Sequence, residues 1–293
     1  MDAEKSASAA GEELGEKHLS SPQDVCLIPN DDLIAVSDGT NGLVVLDQHG
    51  NVEHHFSQIK DCGSLCLNRT TNELAVTVCA EDPDTSESSY QLWLVDCDFW
   101  RLGKEKFDFP TEPAVKSGYI RWICADQESG NYVVAYGDND VAVMQKFDVE
   151  SSSWRTLLER TGLMEHPCII NKEDGAYDVF VAVWNEEQNW HIGRFSFDRS
   201  DELLSEEIVV QPDGVHIKEP WAALVLWAEG LAVHDCKEGL ILRVAKTEEG
   251  SWIPCGILGT VQPGQWISLD ADNHCLYASC SEEKLIRRFK LDQ

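Results

Sequence analysis

Residues 21–56 read SPQDVCLIPNDDLIAVSDGTNGLVVLDQHGNVEHHF. Three short apolar runs follow one another here, at Asp24-Val25-Cys26-Leu27, Leu33-Ile34-Ala35-Val36 and Leu43-Val44-Val45-Leu46. Between them lie Pro29-Asn30-Asp31 and Asp38-Gly39-Thr40-Asn41, residues that fit tight turns. The runs are continuously apolar and do not alternate, which is the pattern of strands buried on both faces. This stretch predicts a small antiparallel sheet covered on both sides by neighbours.

The same unit returns along the chain. Its second strand is the clearest marker, represented by Ile34, Leu74, Val133, Phe180, Leu231 and Leu276, at spacings of 40, 59, 47, 51 and 45 residues. Six copies at that period predict an all-β, six-bladed β-propeller of four-stranded antiparallel sheets. The long interval holds the polar run 81–89 (EDPDTSESS), read as a loop insertion. Helical periodicity is weak; its best candidate, Thr156 to Met164, is short. The sixth repeat lacks a fourth strand because the chain ends at Gln293, so residues 12–19 are expected to supply it and close the ring. The expected organisation is a flexible tail over 1–11 and one propeller over 12–293.

Within residues 21–56, Pro22, Val25, Pro29, Asn30, Asp38, Asn41, Asp47 and Gly50 stand in the order of an NHL repeat. Blade one therefore resembles the NHL family, and the later repeats resemble it in architecture only. The resemblance implies a six-bladed interaction module, in some members binding RNA. A WD40-type propeller is the structural alternative, but its Gly-His and Trp-Asp signatures are missing.

Composition narrows the function. The chain has 293 residues, 43% of them hydrophobic, 11 cysteines and a net charge of −29. An odd number of cysteines in apolar surroundings reads as buried thiols. With no secretory leader or transit signal in MDAEKSASAAGEELGEKH, a cytoplasmic or nuclear location is expected. No apolar run is long enough to span a membrane. The acidic field disfavours nucleic acid and membrane surfaces and favours a basic protein segment.

Acids recur in the loops between second and third strands, and aromatics stand where the chain enters the next blade. The expected partner-binding face comprises Asp38, Asp82, Asp84, Tyr119, Asp138, Asp140, Glu186, Glu187, Trp221, Asp235, Trp266, Glu282 and Glu283. On this reading the protein is a non-catalytic adaptor that engages a basic peptide through acids around exposed aromatics. The ordinary alternative is that Asp and Asn are simply good turn residues.

A second alternative is a divalent-metal-dependent hydrolase or lactonase with its ion in the central channel. Asp38, Asp138, Asn185 and Asp235, with His166, His216 and His234, are the scattered candidates for such a site. A third is a structural subunit that binds through blade edges. No nucleophile elbow, P-loop, dinucleotide fingerprint or zinc-type cysteine pairing is present. The sequence by itself assigns no catalytic residue, metal ligand or cofactor.

Overall fold

The computed structural model describes residues 11–291, apart from 30, 40, 82–87, 109–121, 138–140, 185–188, 214–215, 228–229 and 273. Every regular element among the described residues is a strand. They form six four-stranded antiparallel sheets, and the propeller is confirmed. Blade one runs Asp24–Ile28, Leu33–Ser37, Leu43–Leu46 and Val52–Phe56, from the axis outward. Blades two to five repeat this order, with inner strands Cys62–Asn68, Trp122–Ala125, Leu163–Asn171 and Pro220–Trp227.

The six second strands are the hydrophobic centre of each blade. Ile34, Leu74, Val133, Phe180, Leu231 and Leu276 are all buried. The outer strands meet water and are mixed in composition. Thr156 to Met164, the best helical candidate, falls on the start of an inner strand, Leu163–Asn171, and on one of these outer strands, Ser153–Arg160, with exposed and half-buried positions interleaved. Its third-strand partner Ala142–Asp148 fixes it as sheet, overriding local propensity.

Polar side chains hold the turns. Asp47 accepts the amides of His49 and Asn51 at 2.8 Å each. Asp148 and Asp198 occupy the corresponding turns of blades three and four, accepting from Ser151 at 2.7 Å and Ser200 at 2.8 Å. Much of the acidity therefore caps backbone. Gly42 sits at φ +99° in blade one, where a Cβ would lie 2.6 Å from the Phe56 carbonyl oxygen; only glycine fits.

The ring closes through the N-terminus. Glu12–Leu14 pairs antiparallel with Leu285–Lys290, in register Glu12 to Arg288, Glu13 to Arg287 and Leu14 to Ile286. This short strand completes the sheet that begins with Leu269–Ala271 and Cys275–Cys280. The ion pairs Glu12–Arg288 and Glu13–Arg287 flank the seam. Leu14 and Leu19 are buried together with Val36, Leu46 and Ile286, so the closing segment also packs against blade one. All but Gly11 of the expected tail lies outside the described residues.

Leu14→Ala should destabilise the protein by about 2–5 kcal/mol in equilibrium urea unfolding, the usual cost of emptying a buried leucine site. A loss below about 1 kcal/mol would mean that the seam carries little of the fold.

Candidate functional site

The inner strands do not pair with one another, so side chains make the joints at the axis. Strand register shows which residues share a level. Asp24 pairs with Ser37, Trp122 with Ala135, and Ala222 with His234. The amides of Asp24, Ser64 and Ser268 donate to the hydroxyls of Ser37, Thr77 and Ser279 in one repeated contact, at 2.8–3.0 Å. His166 lies in the bulge between Glu165 and Cys168. One level of the channel is thus Asp24, Ser64, Trp122, His166, Ala222 and Ser268.

Two residues along, strand alternation returns side chains to the axis. That level is Cys26, Cys66, Cys124, Cys168, Leu224 and Asp270. All twelve residues line one central cavity of about 360 Å³.

Asp24 is the main joint. One carboxylate oxygen accepts from Ser64 Oγ at 2.6 Å and from the Leu65 amide at 2.7 Å. The other accepts from the Val25 amide at 2.8 Å and from Ser268 Oγ. Ser64 Oγ in turn accepts the Ile123 amide at 3.2 Å. A continuous hydrogen-bonded belt therefore joins blades six, one, two and three. Asp270 adds a second tie, accepting the Leu27 amide at 2.7 Å. Burial pushes both carboxyls up to about 6, against the lowering effect of these hydrogen bonds. Burial also raises the thiols of Cys26, Cys66 and Cys124, which remain protonated filling.

The opposite side of the channel has groups to spare. His166 is buried, with φ +53°, a left-handed conformation uncommon for a residue with a side chain. Its ring lies 3.5 Å from that of Trp122 and 5.9 Å, edge-on, from that of Trp221. Its Nε2 is buried with no hydrogen-bond partner among the described residues. Both ring nitrogens of His234 and the Nε1 of Trp221 are likewise without partners among the described residues. Burial drives both imidazoles down to about 3, with His234 adding to the effect on His166. Burial drives the neighbouring Glu165 up to about 8 against the Trp122 indole hydrogen bond. All three are uncharged at neutral pH. Unpaired buried polar atoms beside a strained residue are what a ligand site requires.

Above this lies a vestibule of about 350 Å³ lined by Pro22, Gln23, Trp122, Trp221, Gly264, Trp266, Ile267, Ser281 and Glu282. Trp122 belongs to both cavities. Trp221 and Trp266 stack in parallel, 4.8 Å apart and 10° from coplanar.

The expected acidic face fares differently. Asp38 is fully buried, and its carboxylate accepts the Ser20 and Ser21 amides and Asn41 Nδ2. Asp235 is also fully buried and accepts the Lys218 and Glu219 amides at 2.8 and 3.0 Å. Both clamp the loop entering their own blade and offer nothing to a partner. Glu283 is paired with Arg287 at 2.8 Å. Trp221 is buried, while Trp266 is exposed and Glu282 stands on the vestibule wall. Asp82, Asp84, Tyr119, Asp138, Asp140, Glu186 and Glu187 lie outside the described residues. Asp24, Ser64, Trp122 and Ser268 were missed in the sequence, and His166 was considered there only as a metal ligand.

A channel cation would need converging donors. Asp24 and His166, the level's two ligand-type side chains, stand on blades one and four, across the ring from each other. Asp24's oxygens are already taken. Among the described residues no three His, Cys, Asp or Glu side chains come together as a metal site. The described donors do not fit the ion.

No protein-family model matches the chain, and no curated protein matches it. Solved structures do. One, provisionally assigned as a gluconolactonase, is 12% identical with a TM-score of 0.61, over 97% of this chain and 95% of that one. An auxiliary nutrient binding protein from Bacteroides thetaiotaomicron VPI-5482 is also 12% identical, with a TM-score of 0.62, over 92% and 69%. A protein of unknown function from Bacteroides caccae is 13% identical, with a TM-score of 0.54, over 80% and 81%. At these identities the likeness is one of fold, a six-bladed propeller and not the NHL type specifically. The likeness to the provisionally assigned gluconolactonase overturns the expectation of a non-catalytic adaptor and of no enzyme. The burial of Asp38 and Asp235 removes two of the acids on which that adaptor face was drawn.

Asp24→Asn should destabilise by about 2–4 kcal/mol, because one amide oxygen cannot replace a carboxylate that accepts four donors. The folded carboxyl titrates near 6 and the unfolded one near 3.8, so Asp24's contribution is greatest below pH 4 and falls as pH rises to 6. The deficit of Asp24→Asn should therefore be larger at pH 4.5 than at pH 7.5 in urea unfolding. Equal deficits would contradict the raised titration.

Proposed function

We propose that the protein is a hydrolase of small uncharged esters, lactones included, working at the mouth of its central channel. The observation that carries this reading is His166, a buried neutral imidazole with an unpartnered Nε2, held in a strained bulge on the cavity wall. The shared fold with the provisionally assigned gluconolactonase points to the same class of chemistry.

The chain's own residues suffice for the proton traffic. His166 Nε2 is buried, so side-chain movement must first uncover it to water; as its Nδ1–H tautomer, His166 then takes a proton there from a water molecule. The water oxygen forms a bond to the ester carbonyl carbon, and the bond from that carbon to the ester oxygen breaks. The leaving alkoxide takes the proton back from the imidazolium. Water is consumed, the products are an alcohol and an acid, and for a lactone these are one hydroxy acid. General acid–base transfer of this kind is worth about 10²–10⁴ in rate when the base titrates near the working pH; burial holds His166 down to about 3, so its gain falls at the low end of that range.

The NHL-type pattern of residues 21–56 belongs, on this reading, to blade construction. Asp38 and Asp47 from that pattern act as turn caps. It does not bear on the chemistry.

The test is turnover of an uncharged lactone such as δ-gluconolactone or phthalide, in excess EDTA. Ring opening should persist with the chelator, and His166→Ala should lower kcat/KM about 10²-fold or more. Because His166 stays unprotonated above about pH 4, the rate over the spontaneous reaction should show no rise through pH 6–7. No turnover, or full turnover in His166→Ala, would refute the reading.

A further inference from the structure

We propose that the vestibule selects an uncharged ligand carrying a flat apolar ring, which lies on the exposed face of Trp266. The inference deepens the hydrolase reading, since it names the class of ester, but the binding it describes does not require turnover.

Trp221 is locked in place. Trp190 meets its ring at 4.5 Å and 65°, His166 meets it at 5.9 Å and 71°, and the residue is 6% exposed. Trp266 lies parallel on this fixed indole at 4.8 Å, yet is 65% exposed. An indole held flat by a buried neighbour, with its other side in water, is a pre-organised stacking surface that loses little freedom when covered. It faces a cavity of about 350 Å³ whose third indole is Trp122.

The charge preference follows from what surrounds the platform. No described residue lining the vestibule is a lysine or arginine, and Glu282 stands on its wall. With a net charge of −29, the chain gives an anion no partner there and a repulsive field on approach. A cation is drawn in by the same field and can lie on an indole face, but among the described residues it finds no buried carboxylate there to pair with. Glu165 and His166 below the platform are held neutral by burial, and Glu282 is exposed to water, where an ion pair is weak. Neutral hydrogen-bonding groups do remain. Gln23 and Ser281, which line the same space, can hydrogen-bond a carbonyl oxygen. A ring-bearing neutral ester meets each of these features, and a flat aromatic ring covers more of the indole face than a puckered, polyhydroxylated one.

Two probes separate the possibilities: phthalide, a flat benzo-fused lactone, and δ-gluconolactone, a saturated one. Binding is read by calorimetry and tryptophan fluorescence, and ring opening is followed in the same samples. Phthalide should bind at least 10-fold more tightly than δ-gluconolactone. Trp266→Ala should lose at least 10-fold in phthalide affinity while unfolding in urea like the wild type, and Trp266→Phe should recover most of that loss. Phthalide bound on Trp266 but never opened would sustain the platform and end the hydrolase reading. Phthalide opened with the same KM in Trp266→Ala would sustain the hydrolase and end the platform. Failure of phthalide to bind, or equal affinity for the two lactones, would also overturn it.

Discussion

A ring of six sheets has no backbone ladder from blade to blade at its axis, and Asp24 supplies the missing connection. Its carboxylate reaches Ser64 and Leu65 of blade two and Ser268 of blade six while remaining on blade one. Ser64 then passes the belt to Ile123 of blade three. Burying this carboxyl is unfavourable, as its raised titration shows. Four donors at once make the burial tolerable, because a buried acceptor is stable only when fully engaged. The closing strand at Glu12–Leu14 does at the rim what Asp24 does at the axis.

The belt also explains where chemistry can occur. It occupies the polar groups of blades six, one, two and three, leaving blades four and five free of it. There the corresponding positions are His166 and Ala222, with Trp221 and His234 packed nearby. His166 Nε2, Trp221 Nε1 and both ring nitrogens of His234 have no partner among the described residues, and burial keeps the two imidazoles neutral. One half of the channel is therefore tied together by hydrogen bonds, and the proposed chemistry is assigned to the other half. A fold of this kind hosts many functions, so the argument for hydrolysis rests on those particular atoms.

The architecture was legible in the sequence because burial on both faces writes continuous apolar runs, and six of them recur at blade spacing. The closing strand was legible as a deficit, a last repeat one strand short. The site was not, for a physical reason. Asp24, Ser64, Trp122, His166, Ala222 and Ser268 are of five residue types, and only the register of six separate sheets sets them on one level. A signal was present two positions on, in Val25-Cys26-Leu27, Leu65-Cys66-Leu67, Ile123-Cys124-Ala125 and Pro167-Cys168-Ile169. That recurring cysteine marks the axis-facing positions, and stepping back two residues from each reaches Asp24, Ser64, Trp122 and His166. The acidic loops misled because Asp in a turn looks alike whether it faces a partner or, as at Asp38 and Asp235, its own backbone.

The proposed chemistry depends on His166 being a neutral imidazole whose buried Nε2 has no partner among the described residues. Nitrogen-15 NMR of histidine-labelled protein, with His166 assigned by its loss in His166→Asn, tests this directly. The His166 ring should remain neutral from pH 8 down to about pH 4, and its Nε2 resonance should move when phthalide is added. A His166 that protonates near pH 6.5, or a resonance indifferent to phthalide, would contradict the account.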